Sequence, residues 1–276
     1  MTTTPASHPH RGRRLAIQLA LLTAALFLLA WRAQPDDRLH VIFLETKGDA
    51  ALIETPAGGY VLLDGGGDPA ALMAALGRHM PFWRRTLDAV VLTAPDGAHL
   101  PGQVAALARY HAGIALTRAA KRGPALDEWL RLMVEQGTPV RVVHAGEQFD
   151  LGGATLRVLA GGDGDEAGLV LRLDYGATSV VFDQAGGAAD EDALAASAPA
   201  HATLLAYPWQ RDPHTALVEA LRPQALVFTD GQQADKPAEL TFVERAVGGA
   251  ALYHERLNGA IEWISDGRRS WVVTER

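Results

Sequence analysis

The sequence contains no cysteine among its 276 residues, and only 7% of the residues are aromatic. The absence of cysteine excludes disulfide bonds, thiolate-bound zinc, iron–sulfur clusters, thiol catalysis and a lipid-modified cysteine anchor. No glycine- or proline-rich tract is present either, because the 28 glycines and 15 prolines are dispersed. Hydrophobic residues at 48% and charged residues at 21% are typical of a globular protein with a large core, so disorder and coiled-coil repeats are excluded.

Positive charge is scarce outside the N-terminus. The whole chain carries a net charge of −7, and the first 38 residues carry +3, which leaves −10 for residues 39–276. Binding to nucleic acid depends mainly on arginine and lysine side chains that neutralise phosphates. We therefore predict that nucleic acid is not a partner of this acidic body.

The sequence has one long hydrophobic run, residues 15–31 (LAIQLALLTAALFLLAW), which lies between Arg14 and Arg32. A helix of this length reaches about 26 Å, close to the roughly 30 Å of a bilayer's hydrocarbon core. Clustered arginines stay on the cytoplasmic side. We therefore predict a single-pass protein of the cell membrane, with a cytoplasmic basic tail (1–14), a transmembrane helix (15–31), a linker (32–37) and an extracytoplasmic domain (38–276). A cleaved signal peptide and a buried amphipathic helix are the alternatives.

Residues 38–276 combine short apolar runs with segments of helical spacing. Hairpin-like pairs occur beside strand–helix–strand units, which predicts two sheets covered by helices in one large domain. The predicted helices are residues 69–78, 103–111, 190–196 and 215–221. The predicted strands are residues 38–45, 50–55, 60–64, 87–93, 115–117, 140–143, 155–159, 169–174, 179–182, 202–206, 225–229, 250–254, 260–265 and 270–274.

Five blocks of this region occur in an order that identifies a fold. They are LHVIFLETKGDAALIETPAGGYVLLDGGG, LDAVVLTAPDGAHLPG, GLVLRLDYGATSVVF, ALRPQALVFTDG and GAIEWISDG. Together they resemble the metallo-β-lactamase-fold domain at the C-terminus of ComEC-type competence proteins, from about residue 38 to the end of the chain. The resemblance implies an α/β (α+β) fold, an αββα four-layer sandwich. Its active members hold two divalent metals at one rim and hydrolyse phosphodiesters, β-lactams, thioesters or related bonds.

The resemblance also locates the metal ligands, and most of them are replaced here. The family's motif His-x-Asp-x-Asp-His corresponds to residues 94–99, so Asp96 and His99 remain while Ala94 and Ala98 occupy two ligand positions. Alanine cannot bind a metal. The remaining ligand positions correspond to Ala185, to the segment Pro208, Trp209, Gln210 and Arg211, and to Lys236. In the family, the position of Asp64 supports the metal loop.

These losses predict a site without catalytic residues, without a cofactor and without a metal, in which Asp96, His99 and Asp64 are residual family positions. Trp209 would fill the space that metals and substrate occupy in relatives. Two other arrangements stay open. One is a rebuilt site in which Asp183 and His214 join Asp96 and His99, and the other is a replacement metal set of His201, His214 and His254 with Asp183 and Asp212.

The functional prediction follows from the degenerate site and the N-terminal segment. We predict a membrane-anchored, non-catalytic protein of the metallo-β-lactamase fold that acts as an extracytoplasmic binding or scaffold subunit with a protein partner. The alternative is a metal-dependent, phosphodiesterase-like hydrolase that uses zinc or manganese in an atypical site.

Overall fold

The computed structural model describes residues 17–24, 35–161, 168–229 and 242–276. The chain divides into two units, Met1–Asp36 and Asp37–Arg276. In the first unit, residues 17–24 form a helix (α1). The rest of the predicted transmembrane span lies outside the described residues, and no helix within them is long and apolar enough to cross a membrane. The structure therefore gives no support to the transmembrane helix, which stays a prediction.

In the second unit, the first sheet combines strands of the N-terminal half of the domain with the last two strands of the chain. Its strands among the described residues are β1 (Leu39–Phe43), β2 (Ala50–Glu54), β3 (Tyr60–Asp64), β5 (Ala89–Leu92), β7 (Ala115–Thr117), β8 (Val140–Val142), β16 (Ile261–Ser265) and β17 (Ser270–Thr274). They lie in the order β17-β16-β1-β2-β3-β5-β7-β8. The sheet is antiparallel from β17 to β3 and parallel from β3 to β8. A two-stranded ribbon of β4 (Thr86–Leu87) and β6 (His111–Ala112) lies apart from it.

The second sheet carries the C-terminal half. Its described strands are β9 (Gln148–Leu151), β10 (Ala154–Gly161), β11 (Leu169–Tyr175), β12 (Thr178–Phe182), β13 (Leu204–Pro208), β14 (Ala225–Thr229) and β15 (Ala251–His254). They lie in the order β15-β14-β13-β12-β11-β10-β9. Strands β9 to β12 are antiparallel and β12 to β15 are parallel.

Helices cover the outer face of each sheet. On the first sheet these are α2 (Pro69–His79), α3 (Pro101–Leu107) and α4 (Pro124–Gln136), and on the second sheet α5 (Ala188–Ala196) and α6 (Ala216–Leu221); a short α7 (Glu255–Asn258) follows β15. Helix α2 begins where the sequence predicts. Asp68 caps it by accepting hydrogen bonds from the amides of Ala70 and Ala71, and Pro69 has the backbone angle that a first helical residue needs.

The core consists of three apolar layers. The inner faces of the two sheets meet in the middle layer, where the rings of Phe43 and Phe182 lie 6.0 Å apart and Trp263 is buried. A second layer joins the first sheet to its helices, and a third joins the second sheet to its own. The layers therefore follow one another as helix, sheet, sheet and helix, which confirms the predicted mixed α/β sandwich of four layers.

The ends of the strands define two ends of the domain. We use "the rim" for the end formed by the loops 45–49, 65–68, 93–100, 183–187 and 209–214. It lies at the carboxyl ends of β3, β5, β12 and β13, because residue 93 follows β5 and its carbonyl accepts a hydrogen bond from the amide of Leu169 in the second sheet. The opposite end, "the far end", carries the turns 56–59, 80–88 and 266–269.

Candidate functional site

The rim is assembled from loops whose backbones contact one another directly. The Asp49 amide donates to the Ala98 carbonyl at 2.9 Å, and the Gly65 amide donates to the His99 carbonyl at 2.7 Å. A Cβ atom on Gly65 would lie 2.1 Å from the Gln103 amide nitrogen, so no side chain fits there. The glycine run after β3 is therefore required by this close approach, and no phosphate is needed to explain it.

The centre of the rim is the buried side chain of His99. Its Nε2 atom lies 3.0 Å from Asp49 Oδ2, and its Nδ1 atom lies 2.6 Å from Asp96 Oδ1. Asp49 is buried as well, and its Oδ1 atom accepts a hydrogen bond from Gln184 Nε2 at 3.1 Å. Asp96 also accepts from the Ala98 amide at 2.8 Å. One imidazole is therefore held between two carboxylates, one on each side of the ring.

The charges around His99 fix its protonation. Burial by itself would lower the pKa of the imidazole, but Asp64, Asp49 and Asp96 together raise that pKa well above its usual value. These carboxylates therefore favour the protonated, positively charged form of the ring. Nδ1 is hydrogen-bonded to Asp96, whereas Nε2 lies 3.0 Å from Asp49 Oδ2 without forming a hydrogen bond to any described residue. Burial likewise works against the Asp96 carboxylate, yet the hydrogen bond from His99 leaves its pKa below the usual value.

Asp64 has a structural role beside this group. Its Oδ1 atom accepts from the Thr93 amide at 2.8 Å and its Oδ2 atom accepts from the Thr93 hydroxyl at 2.6 Å. Burial raises the pKa of the Asp64 carboxyl to about 7, against the opposing influence of His99 and Thr93. Asp64 thus joins the end of β3 to the end of β5, and both of its oxygens are used in doing so.

The second sheet contributes a separate cluster. Asp183 is fully buried, and the Arg211 guanidinium binds both the Asp183 carbonyl and the Glu191 carboxylate, with Nη2 3.4 Å from Asp183 Oδ1. The Tyr207 hydroxyl lies 3.2 Å from each oxygen of Glu191. Burial raises the pKa of Asp183 to about 7, although Arg211 opposes the change. These side chains bind one another.

Trp209 packs against aromatic residues at the second sheet. Its ring packs edge-on against Phe228 at 5.3 Å between centroids and lies 6.2 Å from Phe242, on the helix-covered face of the second sheet. The Arg245 guanidinium lies 4.1 Å over the ring. Trp209 therefore extends the third core layer, and it does not enter the charge network of His99.

The two alternative metal sets are not brought together. His214 is exposed, with Nε2 3.3 Å from the Glu244 carbonyl. His201 precedes β13 and so lies at the far end, whereas His254 ends β15 at the rim. Burial lowers the pKa of His254 to about 4, so this ring is neutral. Asp183 is engaged by Arg211, as described above.

Solved structures resemble this arrangement, although no protein-family model and no curated protein match the sequence. The metallo-β-lactamase fold protein YhfI from Bacillus subtilis matches with a TM-score of 0.53 and 13% identity, over 78% of this chain and 96% of that chain. CmlA, a diiron β-hydroxylase from Streptomyces venezuelae, matches with a TM-score of 0.55 and 13% identity, over 85% of this chain and 54% of that chain. A diphosphatase from the PhnP family matches with a TM-score of 0.51 and 12% identity, over 86% of this chain and 99% of that chain.

The protein has a metallo-β-lactamase fold. Identities of 12% and 13% show the fold alone, so the activities in those names belong to those proteins. The narrower resemblance to ComEC-type competence proteins is not shown by these matches and stays a prediction.

The metallo-β-lactamase fold implies a metal centre at this rim, and the residues present do not fit one. A chelate needs several ligands around one point, but His99 contributes a single imidazole whose Nδ1 is already bound to Asp96. Alanine occupies positions 94 and 98, and both oxygens of Asp64 accept hydrogen bonds from Thr93. Within the part of the chain that the structure describes, no three His, Asp or Glu side chains are arranged to hold a metal ion.

Two members of the rim were not predicted from the sequence. Asp49 and Gln184 complete the surroundings of His99, and neither belongs to the segment 94–99. Asp49 stands in the Gly48-Asp49-Ala50 segment at the start of β2, and a carboxylate next to a glycine turn was the signal that could have indicated it. Gln184 carries no such signal, because its role depends on the contact between the two sheets.

Proposed function

We propose that this metallo-β-lactamase-fold protein is non-catalytic and acts as a binding or scaffold subunit, held at the cell membrane by its N-terminal segment with the domain outside. The observation that carries the proposal is the buried His99 side chain, which lies between the carboxylates of Asp49 and Asp96 while alanine occupies positions 94 and 98. The pKa of His99 is raised well above its usual value, which favours the positively charged ring. A positive side chain buried at this point neutralises the carboxylates that a cation would otherwise neutralise. The rim is then stable as a protein-only charge network.

The experiment measures metal content and turnover of the full-length protein, purified in detergent without chelator. We expect far less than one equivalent of zinc, manganese or iron per chain. We also expect no metal-stimulated hydrolysis of phosphodiester, thioester or β-lactam probes, since the described residues contain no set of three ligands that could hold a metal and activate its bound water. The matched variant Ala94→His/Ala98→Asp should remain inactive, because residues 185, 209 and 236 still lack the family's ligands.

The second candidate function is a metal-dependent hydrolase with zinc or manganese at a rearranged rim. The comparisons favour this candidate over the first, because the named activities among the matching structures include a diphosphatase and a diiron enzyme, although this support is at the level of the fold alone. Stoichiometric metal in the wild-type protein, together with hydrolysis that is abolished by Asp96→Ala and by His99→Ala, would establish it and overturn the first candidate.

The proposed location has its own test. Positive residues before the hydrophobic run support an N-terminus in the cytoplasm and a domain outside. Protease added to spheroplasts should therefore digest the domain while a cytoplasmic marker survives. A membrane-bound domain that resists protease until the cells are lysed would reverse the orientation. A mature N-terminus near Gln34 would replace the anchor with a cleaved signal peptide.

A further inference from the structure

The far end of the domain carries an aromatic and basic surface that the rim does not explain. Phe82 and Trp83 stand next to each other in the turn after α2, with exposed fractions of 65% and 48%. Their rings form an edge-to-face pair with 4.7 Å between centroids. Two large neighbouring aromatics left in water are unusual for a surface loop, and such patches mark interaction sites.

A cavity of about 390 Å³ opens beside this aromatic pair. Met73, Met80, Phe82 and Tyr110 supply apolar walls, and two guanidinium groups, of Arg85 and Arg109, stand among its lining residues. None of the described residues that line it is acidic. Arg85 donates to the Arg84 carbonyl at 3.0 Å and lies 5.9 Å above the Tyr110 ring, so it is oriented without the help of a carboxylate.

This surface is positively charged, whereas the domain as a whole is negatively charged. Residues 39–276 have a net charge of −10, yet no acidic side chain lies within ion-pair distance of Arg85 or Arg109 in the described part of the chain. Adjacent Phe and Trp beside unpaired arginines match the interface of a bilayer with anionic headgroups, where rings enter the boundary of the acyl chains and guanidinium groups bind phosphates.

The position of the surface in the fold points to the same occupant. Helix α2 starts at the rim and runs away from it for 11 residues, about 16 Å, so the turn after it lies at the far end. Strand β1 also begins at the far end, where the Arg38 guanidinium lies 5.1 Å over the half-exposed ring of Trp271. The second unit therefore begins at the end that bears Phe82 and Trp83.

We propose that the far-end surface of Phe82, Trp83, Arg85 and Arg109 is a docking site for an anionic phospholipid bilayer. The inference deepens the proposed membrane location and rests on it in part, because an N-terminal anchor would hold the domain near the bilayer. The domain then contacts the bilayer with its far end and presents the rim to its partner.

The absence of cysteine makes the test direct, since a single introduced cysteine is the sole labelling site. The full-length Phe82→Cys variant is labelled with a polarity-sensitive fluorophore and reconstituted into vesicles of phosphatidylcholine and phosphatidylglycerol. We expect blue-shifted emission that is quenched by lipid-attached nitroxides. The matched control is Val243→Cys, whose side chain is 67% exposed and follows Phe242, which packs on Trp209 at the rim. The emission maximum of its fluorophore should stay at the value found in water.

Charge variants test the role of the arginines. The Arg85→Gln/Arg109→Gln variant should reduce the quenched fraction at position 82 by about tenfold or more, since each arginine near an anionic surface strengthens binding several-fold. The control Lys121→Gln/Arg122→Gln makes the same change in net charge at exposed residues that precede α4 on the rim side, and it should leave the quenching unchanged.

The outcomes separate this inference from the anchor. Labelled Phe82→Cys protein that resists alkaline carbonate extraction while its label remains in water keeps the anchor and overturns the docking site. Protection of position 82 in cells, without lipid quenching in pure vesicles, assigns the surface to a protein partner and also overturns it. Protein released by carbonate overturns the anchor. In that case the docking site predicts that the released chain floats with anionic vesicles in a salt-sensitive way. The Arg85→Gln/Arg109→Gln variant should no longer float with them, and a wild-type chain that does not float overturns the docking site.

Discussion

At the scale of single residues, the contribution of each partner of His99 to stability depends on how deeply that partner is buried. Asp49 is fully enclosed and also accepts a hydrogen bond from Gln184, whereas the side chain of Asp96 is 44% exposed. Removing one partner of a buried ion pair leaves an uncompensated charge in a medium of low dielectric constant, but an exposed pair is replaced by water. The two carboxylates are therefore unequal in energy despite similar distances to the ring.

This inequality gives a stability prediction. We expect Asp49→Asn to lower the free energy of unfolding by about 3 kcal/mol, because the His99 imidazolium loses its buried partner. Asp96→Asn should cost about 1 kcal/mol or less, since water and the retained amide oxygen replace the carboxylate. Urea unfolding at pH 7 measures both. Equal costs for the two variants would contradict the buried charge network.

A second residue-scale prediction concerns acid. Burial lowers the pKa of His254 to about 4, with help from Arg256 and Arg245. The unfolded chain takes up this proton near pH 6.5, so stability is lost as the pH falls from about 6.5 towards 4 and is unaffected above. The variant His254→Asn keeps an acceptor for the Arg256 amide, which the ring now satisfies at 3.1 Å.

We expect this variant to remove on the order of 2–3 kcal/mol of the destabilisation between pH 7.5 and pH 4.5. Urea unfolding of wild type and variant at both values gives the difference. The control is His201→Asn, which replaces an exposed imidazole and should keep the acid sensitivity of the wild type. If the control and His254→Asn behave alike, the ring of His254 is not held neutral.

At the scale of elements, the rim depends on a helix and a loop that nearly touch. A Cβ atom on Gly102 in α3 would lie 1.8 Å from the Gly65 carbonyl oxygen, a backbone atom that cannot move aside. Gly77 in α2 has no atom within 4 Å of the corresponding position. Both glycines lie in helices, so their substitution by alanine changes helix propensity by a similar amount.

The matched pair should therefore diverge. We expect Gly102→Ala to lower the free energy of unfolding by about 1–3 kcal/mol or more, because overpacking forces α3 away from the rim. Gly77→Ala should raise it by about 0.5–1 kcal/mol, the ordinary gain of alanine over glycine within a helix. Thermal or urea unfolding compares them. A stabilised Gly102→Ala variant would show that α3 does not pack on the Gly65 turn.

Elements were predictable from the sequence where local pattern and burial agree. The apolar runs of β1, β2, β3 and β12 and the capped start of α2 lie where the sequence predicts. Helix α4 was not predicted, although the sequence contains signals for it. Pro124 stands at its start and the left-handed Gly137 at its end, and its buried residues have helical spacing (Leu126, Trp129, Leu132, Met133). Strand β9 was missed because it is short and half exposed, so its apolar pattern is weak.

At the scale of the whole molecule, the fold and the site differ in how much the sequence reveals. The presence of two sheets covered by helices follows from many apolar residues, so a few errors in individual strands do not alter that prediction. The surroundings of His99 depend on three side chains from three loops, of which two, Asp49 and Gln184, come from other parts of the chain. Such a meeting of distant side chains is decided by tertiary packing alone.

The final prediction uses the folding equilibrium of the whole protein as a detector of metal. A ligand that binds only the folded state stabilises it by about 2.7 kcal/mol at 100 times its dissociation constant, which raises the melting temperature of a domain of this size by roughly 5–10 °C. Because His99 lies between two carboxylates and positions 94 and 98 are alanine, we expect zinc, manganese and chelator to leave the melting temperature of the full-length protein unchanged. Differential scanning fluorimetry over a range of metal concentrations checks this without any choice of substrate. A concentration-dependent rise that disappears in His99→Ala would show that a cation displaces the proton of the imidazole, and it would favour the hydrolase.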